Sequence, residues 1–347
     1  MHGSAFFAPA PHIYMHTTYL DNLRDPAVRD LAWVIGSPGL LTPAHPEYHQ
    51  LLVEDAWCQE QLLACLPWLT KLDQAPHDLH EFIASRPTRR LGHYFETLIY
   101  YWLTHTPDTR LIANNLQVQF GQRTFGEFDF LFSDASRAVC HWEVAVKFYL
   151  QKEAVNEQRA FIGPGTQDRL DLKMDKVFQQ QLQLGLTHAG LRALPPDIKL
   201  DRVQALIKGY LFYHASSNSS MATPGVSRDH LSGWWIRHGL DSLPEASTHR
   251  RWMLLPRLRW LAPARAETEA DTLSDSGLTK CLDVHFNISK EALLVFEMTP
   301  DTSGIWQEKS RGFVVCSSWP DIHKTEMAQA DLARVNPSKH KHTGSQK

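Results

Sequence analysis

The chain has 347 residues, 43% of them apolar and 21% charged, with a formal net charge of -3. That composition is close to an ordinary soluble globular protein with a sizeable core, and it lacks the global basic signature of many DNA binders. No apolar run reaches the ~18 residues of a membrane span, and the first dozen residues have no basic region followed by a long apolar stretch, so neither a membrane protein nor a secreted one is expected.

Residues 26–36 and 46–72 read as helices. In the second, Leu51, Leu52, Ala56, Leu62, Leu63 and Leu66 recur at helical spacing. Pro38, Pro43 and Pro46 punctuate the gap. Residues 89–105 form a third helix, with Leu91, Phe95, Leu98 and Trp102 along one stripe and Pro107 at its end. Three strands follow, over 111–120, 125–133 and 138–148, with turns at Gly121 and Asp134. A loop containing Gly163, Pro164 and Gly165 leads to a helix over about 168–185 and a strand over 203–213. The order helix, three strands, helix, strand predicts an α/β fold of the α+β kind, one mixed sheet with helices on its faces.

Beyond residue 215 the pattern loosens. A loop is expected at Ser216 to Ser220, a short helix over 229–238 and an exposed acidic linker over 264–279. Short apolar elements are expected over 291–299 and 312–316, and a disordered tail from Ala328. The chain thus divides into a helical N-terminal region (1–88), a core (89–215), a C-terminal extension packed on it (216–327) and the tail (328–347).

The five cysteines, Cys58, Cys65, Cys140, Cys281 and Cys316, are odd in number, widely spaced and form no CxxC. Neither a disulfide framework nor a zinc site is expected, and a cytoplasmic location with reduced thiols is. The 19 histidines fall into no HExxH and no zinc-finger spacing. No GxxxxGK[ST] phosphate loop, GxSxG elbow or GxGxxG opening a helix occurs.

Chemistry concentrates on two strands. Glu127 and Asp129 lie two apart and share one face of the strand 125–133, with Phe128 and Phe130 on the other. Acids on an inward face are costly without a partner, and a divalent metal or a lysine is the usual one; a solvated face carrying ordinary surface charge has the same pattern. On the strand 138–148, Glu143, Ala145 and Lys147 share a face. That reads either as a charged cluster in a cleft or as a structural ion pair on an edge strand. If the two strands are hairpin partners, Asp129, Glu143 and Lys147 approach one another. On the helix 89–105, Glu96 sits off the apolar stripe one turn after Gly92, which leaves room beside it.

Local basic groups are Arg86, Arg89 and Arg90 before that helix, and Arg250, Arg251, Arg257 and Arg259 around Trp252 and Trp260. They suit phosphate binding and base stacking; core tryptophans beside surface arginines would look the same.

A glutamate on the first helix, Gly126-Glu127-Phe128-Asp129 on a strand, then Glu143 and Lys147 on the next strand resembles the PD-(D/E)XK phosphodiesterase superfamily over about residues 89–214. Across nearly the whole chain the sequence also resembles an uncharacterised bacterial family, domain of unknown function eighteen-fifty-three, which has been grouped with that superfamily. The matching stretches include Val28 to Trp33, Gly92 to Glu96, Gly126 to Asp129, Glu143 to Lys147, Asp168 to Lys173, Lys208 to Phe212 and Arg311 to Phe313.

The resemblance implies a restriction-endonuclease-like core with an N-terminal helical cap. It also implies a Mg²⁺- or Mn²⁺-dependent nuclease acting on DNA or RNA. Asp129 would be the central metal ligand, with Glu143 and Glu96 completing the shell. Glu127 would be an extra ligand or base, and Lys147 would orient the attacking water or stabilise charge on the phosphoryl group. Lys173 and Gln181 resemble the accessory polar residues of exonuclease-like branches, although for Lys173 the solvated face of an amphipathic helix is the preferred reading. One departure stands out: the superfamily's acid two residues before the lysine is replaced by Ala145, and Glu143 lies four residues before, about 13 Å along a regular strand. A bulge would shorten that path, or the metal would lie between Asp129 and Glu143 with Lys147 less involved. A scaffold that has lost catalysis and serves as a nucleic-acid-binding or adaptor module is the alternative.

Overall fold

The computed structural model describes residues 19–217, 222–245, 247 and 249–321. Helix α1 (Pro26–Gly36) starts where Asp25 accepts hydrogen bonds from the Ala27 and Val28 amides, with proline as its first residue. Helices α2 (Asp55–Gln74), α3 (His77–Ala84) and α4 (Leu91–His105) follow. Then come β1 (Arg110–Phe120), β2 (Arg123–Ser133), β3 (Val139–Gln151) and the two-residue β4 (Phe161–Ile162). Helix α5 (Leu170–Lys176) passes directly into a π-helical turn (Val177–Gln181), and α6 (His188–Ala193) precedes β5 (Arg202–His214). The chain continues through β6 (Leu231–Arg237), β7 (Arg251–Leu254), β8 (Arg265–Ala266), α7 (Asp275–Ile288), β9 (Leu293–Pro300) and β10 (Trp306–Val315).

The main path of the sheet runs β1-β2-β3-β5-β6-β10-β9-β7, with β4 beside β3 and β8 beside β10. Strands β3, β5, β6 and β10 are mutually parallel; β1-β2-β3 and β10-β9-β7 are antiparallel on either side. Parallel strands demand cover on both faces, and β3 is buried along nearly its whole length. On one face Phe95, Leu98 and Trp102 of α4 pack against Phe130, Phe132 and Trp142. On the other, Leu170, Met174, Val177 and Phe178 of α5 and its π turn pack against Ala145 and Tyr149 of β3 and Ile207 of β5. The alternation along β3 is the cause: even-numbered residues meet α4, odd-numbered ones meet α5.

The sheet corrects several local expectations. The helix expected over 46–72 is a 3₁₀ turn (Pro46–Tyr48) and then α2, and α3 is an addition. The helix expected over 168–185 starts at Leu170 and breaks into the π turn. Within the helix expected over 229–238 lies strand β6 (Leu231–Arg237), because Trp234, Trp235 and Ile236 fill a gap between β5 and β10 that only a strand can bridge with backbone hydrogen bonds. The expected linker over 264–279 holds β8 and the start of α7, whose Ser274 cap accepts from the Gly277 amide. The tail from Ala328 lies outside the described residues, as do Asn218, Ser219 and Ser220 of the loop expected at Ser216 to Ser220.

One glycine holds the centre of the sheet together. Gly209 of β5 has φ +136° and faces Lys147 of β3. A Cβ there would lie 1.8 Å from the Lys147 carbonyl oxygen. Gly209→Ala must therefore push the two central strands apart or strain the backbone, and is expected to cost about 2–3 kcal/mol in a urea titration. Wild-type stability in that variant would refute the close approach.

Candidate functional site

The candidate site forms where the sheet splits. Strands β2 and β3 pair only from Ser133↔Val139 to Phe130↔Trp142. Beyond that pair they part, while β2 stays paired with β1 down to the hairpin. Asp129 and Glu143 are the first residues past the last rung and lie opposite each other. The Val144 amide, deprived of a strand partner on this side, donates to Asp129 Oδ2 at 2.9 Å. A carboxylate thus replaces a ladder carbonyl at the mouth of the split.

The alternation expected along β2 fails here. Phe128 packs with Leu131 and Leu184 and stands edge-on to His141 at 4.8 Å, whereas Phe130 belongs to the α4-side core. Asn115 of β1, at φ +49°, falls between the pairs Asn114↔Phe130 and Leu116↔Phe128, opposite Asp129. A left-handed residue there breaks the pleat.

Glu143 is buried (1% exposed) and fixed at both oxygens. His141 Nε2 lies 2.8 Å from Oε1, and the Gln181 side-chain amide donates to Oε2. Gln181 Oε1 in turn accepts from Lys173 Nζ at 3.2 Å. The result is a continuous chain of His141, Glu143, Gln181 and Lys173, with α5 and its π turn supplying the last two. The π turn matters because its wider winding alters which residues of the segment face the sheet.

Burial raises Asp129, Glu143 and Glu96. It pushes Asp129 up to about 7, and Glu143's charge adds to the effect. Glu143 is also pushed up to about 7 by burial, with the Lys173 ammonium and hydrogen bonds to Asp129 opposing the rise. Glu96 is pushed up to about 7 by burial and by the charge of Asp129. Burial drives His141 down to about 4, so its ring is neutral at physiological pH and can donate its Nε2–H to Glu143. Lys173 is lowered by burial and by the neighbouring Lys147.

The expected site residues are therefore only partly gathered. Asp129 and Glu143 meet, with Lys173 and Gln181 beside them. Glu127 is exposed, but its charge is felt by Asp129, Glu143 and Glu96. Glu96 comes from the α4 side, where it opens onto a cleft of about 340 Å³ shared with Arg86, His93, Asn114 and Phe130. Lys147 bonds to Asp168 in the loop before α5. No bulge shortens its distance from Glu143: the β3–β5 register runs unbroken from Cys140↔Arg202 to Leu150↔Phe212. Ala145 is packed under α5 among Leu170 and Met174, where an acid side chain would be buried in apolar surroundings.

Two partners escaped sequence reasoning. His141 shares the face of Glu143 two residues on, so strand parity alone could have found it. Asp168 precedes a helix and carries no periodic signal. The Arg250–Arg259 segment is structural at its core: Arg250 pairs with Asp275, Arg251 with Glu269, and Trp252 and Trp260 are buried.

Among the described residues, no group of three or more His, Cys, Asp or Glu is gathered as a metal site, and none of their helices is long and apolar enough to cross a membrane. A family model described as Domain of unknown function (DUF1853) matches residues 29–315. No curated protein and no solved structure matches the chain.

Proposed function

We propose, on the premise that the chain belongs to the DUF1853 family, whose description assigns no activity, that it is a metal-dependent phosphodiesterase acting on DNA or RNA. The observation that carries this reading is the Asp129–Glu143 pair at the parting of β2 and β3, with α5 laying an ammonium and an amide over it. The order α4-β1-β2-β3-α5-β5, with β3 and β5 adjacent and parallel, is the arrangement expected of a PD-(D/E)XK core and supports the same reading.

The donor set fits Mg²⁺ or Mn²⁺. Both acids offer hard oxygen ligands, and Mg²⁺ commonly takes one or two carboxylates and fills its remaining positions with water and substrate phosphate. Asp129 and Glu143 would hold the ion; Glu96, on the α4 side, would act on it through charge. When bound, the ion supplies Lewis-acid polarisation of the phosphoryl group. The protein's own contribution is positional. His141 Nε2 and Gln181 fix the two oxygens of Glu143, leaving Asp129 to be shared with the Val144 amide. Lys173 brings positive charge towards an incoming phosphate.

This assigns the role expected of Lys147 to Lys173. Lys173→Ala is expected to lower cleavage of labelled DNA or RNA by about 10²-fold, the usual scale for one charge-stabilising donor, and Lys147→Ala by less than tenfold. The reverse order would return the role to Lys147. The broader test is cleavage of a mixed DNA and RNA panel with Mg²⁺ and then Mn²⁺, beside Asp129→Ala; cutting that survives the substitution would refute the site.

A second reading rests on Ala145 standing at the superfamily's acid position and on the Lys147–Asp168 pair. In it, the protein is a non-cutting nucleic-acid-binding or adaptor module. It predicts salt-sensitive binding indifferent to Mg²⁺ and to Asp129→Ala.

A further inference from the structure

We propose that the cleft at Phe125 is a stacking subsite for an unpaired nucleobase, which makes single-stranded nucleic acid the substrate; the inference rests on the phosphodiesterase reading and deepens it. The β1–β2 register steps from Val118↔Gly126 to Gln119↔Thr124, leaving Phe125 as the extra residue of a β-bulge. Bulges bend a strand and re-aim the side chain they carry, and they recur beside active sites. The next residue, Gly126, has φ +153°, and a Cβ on it would lie 3.4 Å from Leu184, so backbone forms part of the cleft wall.

The re-aimed ring is exposed. Phe125 is 48% accessible, while Phe128, Phe130 and Phe132 of the same strand are at most 1% accessible. Folding alone would favour burying it by about 1.5–3 kcal/mol. The Arg123 guanidinium lies 5.0 Å from the ring centroid, an arrangement that offers a π face and a cation to one base.

The cleft has a volume of about 270 Å³, and its lining includes Gln117, Thr124, Phe125, Glu127, Gln180 and Gln181. Side-chain amides supply both donors and acceptors to a base edge. Gln181 also donates to Glu143, so one lining side chain links the cleft to the buried carboxylates. Along β2, Phe125 lies four residues from Asp129, about 13 Å in a regular strand. The described cleft brings few cations to bear, Lys176 in its lining and Arg123 against the Phe125 ring. That is too little to neutralise the two phosphate rows of a duplex, whereas stacking on an aromatic platform serves a single strand of any sequence.

The test measures binding apart from cutting. Fluorescein-labelled single-stranded DNA and RNA 12-mers of one sequence are titrated with full-length protein in EDTA and read by anisotropy. Phe125→Ala should weaken binding about tenfold, within the range of one lost stacked base, and Phe125→Trp should stay within about twofold of wild type. A DNA 12-mer with a single abasic site moved along it should show one position that weakens wild type and leaves Phe125→Ala unchanged. Equal affinities for wild type and Phe125→Ala, or tighter binding of duplex than of single strand, overturn the subsite even if the enzyme cuts. Phe125-dependent binding without metal-dependent cutting by wild type would keep the subsite and overturn the phosphodiesterase. No binding and no cutting would overturn both.

Discussion

Asp129→Asn is expected to abolish cleavage and to make the metal-free protein more stable. The activity loss follows from removing a charged ligand: several kcal/mol of transition-state stabilisation, about 10³-fold or more in rate. The stability gain follows from the same burial. Asp129 is 8% exposed and its pKa is raised from 3.8 to about 7. At about 1.4 kcal/mol per unit, keeping it ionised in the folded state costs up to about 4 kcal/mol above pH 7. Asparagine retains an oxygen for the Val144 amide and removes the charge that raises Glu96.

The sign of the pH dependence is fixed by linkage. A carboxyl raised on folding contributes stability that is complete below its unfolded pKa near 4 and is lost as pH rises through about 7. The difference in melting temperature between Asp129→Asn and wild type in EDTA should therefore be several degrees at pH 8 and shrink towards pH 5. His141 works the other way: lowered to about 4, it contributes stability that is present above pH 6.5 and lost as pH falls through 4. Since both proteins carry His141, the comparison cancels most of its effect. A less stable asparagine variant at pH 8 would show that Asp129 is held by structural partners rather than kept for a cation.

The second large effect is a metal-induced rise in stability that disappears in acid. An ion that binds only the folded chain stabilises it by about 2.7 kcal/mol at a hundredfold excess over its dissociation constant. Wild-type protein at pH 8 should melt several degrees higher in Mg²⁺ or Mn²⁺ than in EDTA. Because Asp129 and Glu143 are pushed up to about 7, each unit of pH below that should lower affinity about tenfold per carboxylate. The shift should be nearly gone at pH 5.5. It should be absent at pH 8 in Asp129→Asn, which separates binding at this site from weak binding to surface acids. An identical shift in both proteins would move the cation elsewhere.

Together the two experiments divide the readings. A degenerate scaffold would still hold its buried acids at raised pKa values, and Asp129→Asn would still stabilise it, but Mg²⁺ would do little. Only a working site should show both the relief on substitution and the relief on adding a cation.

The local patterns were legible because they are periodic. The 3.6-residue stripe of Leu91, Phe95, Leu98 and Trp102 marked α4, and the two-residue alternation of β3 placed Glu143, Ala145 and Lys147 on one face. Hairpin pairing of β2 and β3 was enough to bring Asp129 opposite Glu143. Family membership was likewise readable from the chain and carried no activity with it.

What tertiary structure decided was which groups cross from one element to another. Lys173 and Gln181, not Lys147, serve Glu143, because the crossover lays α5 over the sheet and the π turn resets which of its residues face inward. Lys147 is spent on Asp168, a loop residue that periodicity does not mark. Residues 231–237 are a strand because β5 and β10 leave a strand-wide gap, a demand made far away in sequence. Phe125 owes its exposure to a count of residues on two strands at once, and one strand read alone cannot show a bulge. Periodicity is set by each residue's near neighbours and survives in the sequence; the pairing of charges is set by chain segments that meet only after folding, and in the sequence it leaves no spacing to read.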